Sequence, residues 1–122
     1  ADLAVTAMEG IMSKFPDGVA IICSNNDDMA LAAARTAKSN PNYAKTIFLG
    51  FDGQKSACEA VAAGELTMTA AQNNFDIGYK AVETMVKILK GEQYDKVVDT
   101  GTEIITKDNA EERLTKFNEW MK

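Results

Sequence analysis

Eight residues decide the fold of this chain: Thr46-Ile47-Phe48-Leu49-Gly50-Phe51-Asp52-Gly53. The apolar run predicts a buried strand, and the polar residues that end it predict a turn into a helix. The same succession of apolar strand and polar turn occurs at Ser24 to Asp27 and at Ala71 to Asn74. Three such turns predict a parallel sheet whose strands end along one edge, where open α/β sheets bind ligands.

Amphipathic helices are predicted between these strands. Apolar residues recur at helical spacing in five stretches: Met8 to Phe15, Met29 to Ala37, Ala57 to Ala62, Ile77 to Leu89, and Leu114 to Met121. The strands are predicted at Val19 to Cys23, covered on both faces, at Thr46 to Phe51, and at Leu66 to Ala71. The last of these is Thr-rich and alternates, so it is expected to be less buried or nearer an edge. Val97-Val98 and Glu103 to Thr106 are predicted to be short and extended.

This order of elements predicts an α/β fold. Helices that alternate with strands imply a doubly wound parallel sheet with helices on both faces, joined by right-handed crossovers. The length of 122 residues allows one domain, residues 1–122, with a real core. A doubly wound domain usually opens with a strand, whereas this chain opens with a helix, so we expect a strand to be missing before it.

Composition excludes several classes of function. The net charge of −5 and the pI of about 4.7 argue against a nucleic-acid partner. The chain has no histidine, which excludes a histidine base and histidine-ligated metals, and it has no CxxC pair. We therefore expect no enzyme activity, no metal and no cofactor. Cys23 and Cys58 are expected to be buried free thiols, with a disulfide or a reactive cysteine as the alternative.

The candidate ligand-binding residues are Asn26, Asp52 and Gln72, one after each buried strand. A carboxylate accepts hydrogen bonds from two neighbouring hydroxyls, and a primary amide both donates and accepts, so these groups suit a neutral polyhydroxylated molecule. An aromatic ring often covers the apolar face of a sugar. Phe51, next to Asp52, is the nearest ring, although its alternation equally allows a place in the core.

Helix capping is the alternative role for the acidic and amide residues. Asn and Asp after a strand commonly cap the next helix, and Asp27 is expected to be a cap rather than a ligand contact. Asp52 suits either role. Gln72 is a poor cap, and Asn74 beside it is the better one. Phe75 is expected to be a core residue at the start of a helix, and Trp120 is expected to have a packing or surface role rather than to bind.

An acidic magnesium pocket, as in response-regulator receivers, is a further alternative, because Asp27-Asp28 and Asp52 are all acidic. The spacing argues against it, since a receiver has an extra strand–helix unit between its acidic pair and its phosphoacceptor. The glycines around Asp52 also lack the spacing of dinucleotide or phosphate loops.

Three motifs in order resemble the type I periplasmic sugar-binding proteins, the ribose-binding group above all: Asn26-Asp27-Asp28-Met29-Ala30-Leu31, Gly50-Phe51-Asp52-Gly53 and Thr69-Ala70-Ala71-Gln72. Gly78 to Gly91 also resembles that family. The resemblance implies that the chain is the C-terminal lobe of a two-lobed protein, and that its N-terminal lobe is absent. It also implies that Asn26, Asp52 and Gln72 hold sugar hydroxyls, with Asn25 in place of Asn26 if the register shifts by one.

By this resemblance, the function is non-enzymatic binding of a monosaccharide as half of the solute-binding component of an ABC sugar transporter. The implied partners are the missing lobe and a membrane permease, and the implied location is periplasmic or extracytoplasmic. The alternative is the effector-sensing domain of a lactose-repressor-type regulator. We also expect that an isolated lobe could form a homodimer to cover apolar surface.

Overall fold

The computed structural model describes residues 2–120, so Met121, the last residue of the predicted C-terminal stripe, lies outside the described residues. The elements are α1 (Asp2–Lys14), β1 (Ile21–Cys23), α2 (Asp27–Ala37), a 3-10 turn (Pro41–Tyr43), β2 (Ile47–Asp52), α3 (Lys55–Ala62), β3 (Met68–Gln72), α4 (Asn74–Leu89), β4 (Thr102–Ile105) and α5 (Ala110–Trp120).

The four strands form one mixed sheet in the order β1-β2-β3-β4. Strands β1, β2 and β3 run parallel, and β4 is antiparallel to β3. The α/β class is therefore confirmed, although the final strand reverses the predicted parallel direction. Strand β3 pairs on both sides, so it does not lie near an edge, and its residues alternate between half-buried and buried. Val97-Val98 is not a strand; only Thr102–Ile105 pairs with the sheet.

The core lies on one face of this sheet. Phe48, Thr69, Ala71 and Ile105 point to this covered face and are buried there. Helices α2 and α3 pack directly on these strands, α1 packs on α2, and α5 packs on α3. Helix α2 buries four alanines, whose small side chains allow the helix to approach the sheet closely.

The opposite face of the sheet is open. We call it the open sheet face; it consists of the alternate strand residues Ile21, Cys23, Ile47, Leu49, Phe51, Met68, Ala70, Gln72, Thr102 and Ile104. Ile21 and Ile104 are about half exposed, at 52% and 50%. Strand β1 is thus not covered on both faces, contrary to the expectation, because no helix in residues 2–120 lies on this side of it.

Helix α4 forms where the periodicity of Ile77, Ala81, Met85 and Leu89 predicts it, but its apolar stripe is exposed. None of its sixteen residues is buried. The helix therefore does not cover the open sheet face, which a helix would cover in a completed doubly wound domain.

Candidate functional site

Two of the predicted site residues meet at the carboxyl ends of neighbouring strands. Asp52 is the last residue of β2 and Gln72 the last of β3, and the parallel register sets Asp52 beside Ala71. The Gln72 amide Nε2 donates a hydrogen bond of 2.8 Å to Asp52 Oδ1. Both side chains are half-buried. The pair therefore presents a carboxylate and an amide together at the sheet edge.

Asp52 adopts a backbone conformation that is rare for a residue with a side chain. Its φ is +115°, and it is the only non-glycine residue with a positive φ in the part of the chain that the structure describes. Such a conformation costs on the order of 1–3 kcal/mol and persists only where the surroundings enforce it, often at functional sites. The turn after β2 thus holds the Asp52 carboxylate in a direction that an ordinary helix start would not give.

A buried carboxylate beneath this turn fixes its shape. Asp27 is fully buried. Its Oδ2 accepts a hydrogen bond of 2.7 Å from the Gln54 backbone N–H, and its Oδ1 accepts one of 2.6 Å from the Thr69 hydroxyl. The Gly53 N–H in turn donates to Thr69 Oγ1 at 3.2 Å. Asp27 therefore connects three elements, and the expectation that it caps helix α2 was wrong.

Burial raises the pKa of Asp27 above its ordinary value, while the hydrogen bonds from Thr69 and Gln54 lower it. The nearby Asp52 charge adds a smaller upward contribution. The carboxylates of Asp27 and Asp52 are thus close enough at this edge to interact electrostatically. This local negative potential favours ligand groups that donate hydrogen bonds, as hydroxyls do.

Asn26 is the residue that caps α2. Its backbone is extended, and its Oδ1 accepts a hydrogen bond of 2.9 Å from the Met29 N–H. The cap fixes the side chain at the end of β1 and leaves the amide nitrogen without a hydrogen bond among the described residues. Asn26 makes no hydrogen bond to Asp52 or Gln72 within residues 2–120. Asn25, the alternative residue, is exposed.

The capping alternatives for the other two residues are not realised. Helix α3 has Gln54 at its N-cap position, with no side-chain cap bond, so Asp52 does not cap it. Asn73, rather than Asn74, caps α4, because its Oδ1 faces the Asp76 N–H at 3.5 Å. Asp52 and Gln72 thus bond to each other rather than to a helix end.

The aromatic residues lie away from this pair or on the open face. Phe51 belongs to the open sheet face and is 39% exposed, so it is not in the core. Phe75 stacks on Trp120 with ring centroids 6.0 Å apart, so Trp120 packs as expected. Phe75 is 53% exposed, so the expectation that it is a core residue was wrong.

Arg113 is a residue of this region that the sequence analysis missed. Its side chain is 4% exposed, and Nη2 donates a hydrogen bond of 2.8 Å to the backbone carbonyl of Gln72. It also lies against the rings of Phe117 and Trp120, 5.3 Å and 5.0 Å from their centroids. Arg113 therefore holds the end of β3, although an arginine in an amphipathic helix gives no sequence signal for such a role.

The two cysteines occupy different environments. Both are free; Cys58 is buried in the core, whereas Cys23 is exposed on the open sheet face, so the expectation of two buried thiols was wrong for Cys23. Burial raises the pKa of the Cys58 thiol to about 11. At neutral pH Cys58 is thus a neutral core side chain.

Residues 2–120 contain no group of three or more cysteine, aspartate or glutamate residues arranged to hold a metal ion. None of the helices described is long and apolar enough to cross a membrane.

Comparison with known proteins defines the class. Residues 1–93 match the family profile described as a periplasmic binding protein domain. Since the match covers more than half of the chain, the chain belongs to this family.

The relatives extend beyond this chain. It is 34% identical over 103 residues to the ribose import binding protein RbsB of Escherichia coli, which covers 84% of this chain and 34% of that protein. Its fold matches the Caulobacter myo-inositol binding protein bound to myo-inositol, with a TM-score of 0.83 and 28% identity over 94% of this chain and 40% of that one. A solute binding protein from Mycobacterium smegmatis with bound glycerol matches with a TM-score of 0.78 and 34% identity, covering 89% of this chain and 38% of that one. The chain thus spans about a third of the curated relatives it matches.

Proposed function

We propose that this chain is the C-terminal lobe of a sugar-binding protein and that Asp52 and Gln72 hold hydroxyl groups of a monosaccharide. The observation that carries the proposal is the Asp52–Gln72 contact at the carboxyl ends of β2 and β3. A carboxylate already bonded to an amide keeps one oxygen for a ligand hydroxyl, and the amide oxygen accepts another. Such a pair recognises two adjacent hydroxyls.

Asn26 and Phe51 have supporting roles in this proposal. The Asn26 amide nitrogen is a third hydrogen-bonding group and supplies a donor beside the two acceptors. The bond from the Met29 N–H to Asn26 Oδ1 holds this side chain at the same sheet edge. Asn25 is the alternative residue for this role if the register of the motif shifts by one. Phe51 precedes Asp52 on the open sheet face, and in this proposal its exposed ring contacts the apolar face of the sugar.

The relatives support the class of ligand and the setting. They are named as binding proteins for ribose, allose and myo-inositol, all polyhydroxylated and uncharged. We infer that the function is ligand capture without chemistry, outside the cytoplasm, as half of the solute-binding component of an ABC importer whose permease is the membrane partner. This setting favours transport over a role as a regulator's effector domain.

One lobe is expected to bind sugar weakly. Hydrogen bonds on an open surface compete with water, and a second lobe that closes over the ligand would remove this competition. The test therefore needs a method that detects weak, fast exchange.

The test is a titration of the ¹⁵N-labelled chain with ribose, allose and myo-inositol, followed by amide chemical shifts. We expect saturable shifts at Gly53 and Gln72 and in the first turn of α2. Asp52→Ala should weaken the binding at least tenfold, or about 1.4 kcal/mol.

Asp108→Ala is the matched control, because Asp108 is an exposed carboxylate beyond the opposite end of the sheet. It should leave the shifts unchanged. The proposal is overturned if none of these sugars shifts the site amides. If sugars bind equally well to Asp52→Ala, the binding function stands and the assigned site is wrong.

A further inference from the structure

A series of buried hydrogen bonds connects the turn after β2 to the interior of the sheet. The Gly53 N–H donates to the Thr69 hydroxyl oxygen at 3.2 Å, and the Thr69 hydroxyl donates to Asp27 Oδ1 at 2.6 Å. Thr69 and Asp27 are fully buried, and Gly53 is buried as well. We call this series of contacts the Thr69 link. It lies within the covered side of the sheet, so its geometry does not depend on what contacts the open sheet face.

Asp27 sets the direction of the hydrogen bonds in the Thr69 link. Both oxygens of this carboxylate are acceptors, since Oδ2 accepts from the Gln54 N–H at 2.7 Å while Oδ1 accepts from the Thr69 hydroxyl. A hydroxyl has one proton, so donation to Asp27 leaves the Thr69 oxygen as an acceptor only. The Gly53 N–H is the donor that this oxygen receives. Asp27 therefore orients Thr69, and Thr69 orients the peptide group between Asp52 and Gly53.

Asp52 lies between two peptide groups that are both held in place. The peptide before it belongs to β2, where the parallel register pairs Asp52 with Ala71. The peptide after it carries the Gly53 N–H, which is bound to Thr69. Because the φ and ψ angles of a residue relate the peptides on either side of it, fixing both peptides leaves Asp52 little freedom. This arrangement accounts for its φ of +115°, which persists only where the surroundings enforce it.

Close packing encloses the Gly53 N–H. A side-chain carbon at Gly53 would collide with Ala71, so the backbone of the turn lies directly against β3. A side-chain carbon at Gly50 would collide with Asp27 Oδ1, so the carboxylate lies equally close to β2. A buried N–H rarely lacks an acceptor, and here the acceptor is Thr69.

We propose that Thr69 is a positioning residue of the sugar site, whose hydroxyl, oriented by Asp27, directs the Asp52 carboxylate without touching the ligand. The inference rests on the proposed function, because it takes Asp52 to be a ligand contact. Without the bond to Thr69, the peptide after Asp52 is free to rotate, and Asp52 relaxes to an ordinary backbone conformation. Its carboxylate then leaves the Gln72 amide, which it now meets at 2.8 Å. The two groups no longer present their acceptors together.

Two variants of Thr69 and one of Thr67 test this role. Thr69→Val keeps the shape of the side chain and removes the hydroxyl, whereas Thr69→Ser keeps the hydroxyl and removes the methyl group. Thr67→Val is the matched control. The Thr67 hydroxyl oxygen also accepts a backbone N–H bond of 3.2 Å, from Phe48, but it does so just before the start of β3, away from the site.

The measurements are sugar affinity and the backbone angle of Asp52. Affinity comes from amide shifts of the ¹⁵N-labelled chain titrated with ribose, allose and myo-inositol, under conditions where urea unfolding shows each variant to be folded. The three-bond coupling between the amide and α protons of Asp52 reports its φ and needs no ligand.

Thr69→Val should weaken sugar binding by about tenfold and change the Asp52 coupling. Thr69→Ser and Thr67→Val should retain the wild-type affinity and the wild-type coupling. A purely structural role of Thr69 would lower stability but leave the Asp52 coupling of the folded protein unchanged.

Hydrogen exchange in the wild-type chain tests the Thr69 link even if Thr69→Val fails to fold. The Gly53 and Gln54 amides donate to buried acceptors, whereas the Lys55 amide lies in the exposed first turn of α3. We expect the first two to exchange more slowly than the Lys55 amide by about tenfold or more, after correction for sequence.

The outcomes separate this inference from the proposed function. If none of the three sugars binds the wild-type chain, the proposed function is wrong, and the role of Thr69 in binding is wrong with it. If a sugar binds, the proposed function stands, and the role of Thr69 alone is overturned by any of three results. Thr69→Val could keep the wild-type affinity or the wild-type Asp52 coupling, Thr67→Val could lose as much affinity as Thr69→Val, or the Gly53 amide could exchange as fast as the Lys55 amide.

Discussion

At the scale of single residues, Gly50 decides whether the turn that carries Asp52 can form. A side-chain carbon at position 50 would collide with Asp27 Oδ1. Asp27 is the buried acceptor for Thr69 and Gln54, so the absence of a side chain at Gly50 lets a carboxylate lie against the strand. The motif Gly50-Phe51-Asp52-Gly53 thus includes a residue needed for packing as well as a candidate ligand contact.

The first prediction follows from this packing. Gly50→Ala should destabilise the chain by about 1–3 kcal/mol, because Asp27 must move from its hydrogen bonds or the strand must shift. Urea unfolding monitored by circular dichroism measures the change. Gly10→Ala is the matched control, since Gly10 lies within α1 and a side-chain carbon there meets no atom within 4 Å. It should be stabilising by up to about 1 kcal/mol. Equal effects at both positions would contradict the packing role of Gly50.

At the scale of elements, the start of α2 combines a cap and a candidate binding group in Asn26. The cap needs only the side-chain oxygen, which accepts from the Met29 N–H, whereas a ligand would use the amide nitrogen. The two roles are therefore separable by substitution.

Asn26→Ser is expected to retain helix stability and to weaken sugar binding. A serine hydroxyl caps a helix about as well as asparagine, so the free energy of unfolding should change by less than about 0.5 kcal/mol. Loss of the amide donor should lower sugar affinity severalfold in the amide-shift titration. Asn26→Ala should lower both, with a stability cost of about 1 kcal/mol. Unchanged affinity in Asn26→Ser would show that Asn26 is a cap alone.

At the scale of the whole molecule, all of the fully buried strand side chains among residues 2–120 belong to one face of the sheet. Neighbouring residues of β4 show the asymmetry: Ile105 is 0% exposed on the covered face, and Ile104 is 50% exposed on the open sheet face. The two side chains are chemically identical and differ only in what covers them.

This difference predicts unequal costs for the same substitution. Ile105→Ala should destabilise the chain by about 2–5 kcal/mol, because it leaves a cavity in the core. Ile104→Ala should cost less than about 1.5 kcal/mol in urea unfolding, because half of this side chain is already exposed. A cost for Ile104→Ala equal to that for Ile105→Ala would mean that a helix of the same chain covers the open sheet face in solution.

The sequence by itself predicted the five helices, the four strands that pair in the sheet, the α/β class and the family, although it also predicted an extended stretch at Val97-Val98 that the sheet does not include. Periodicity identifies helices and apolar strands because it follows from local geometry, and Asp52 and Gln72 were recognised because each ends a strand of one parallel sheet. No local pattern encodes the contacts that complete the site. The hydrogen bond between Asp52 and Gln72 joins residues 20 positions apart. The buried bonds of Asp27 to Thr69 and of Arg113 to Gln72 join residues 42 and 41 positions apart. The tertiary structure alone decided that β4 runs antiparallel and that α4 leaves one face open. The apolar stripe of α4 is the same whether the helix packs on its own sheet or on another surface. The reason is that periodicity identifies the apolar side of a helix, but not the surface that this side contacts.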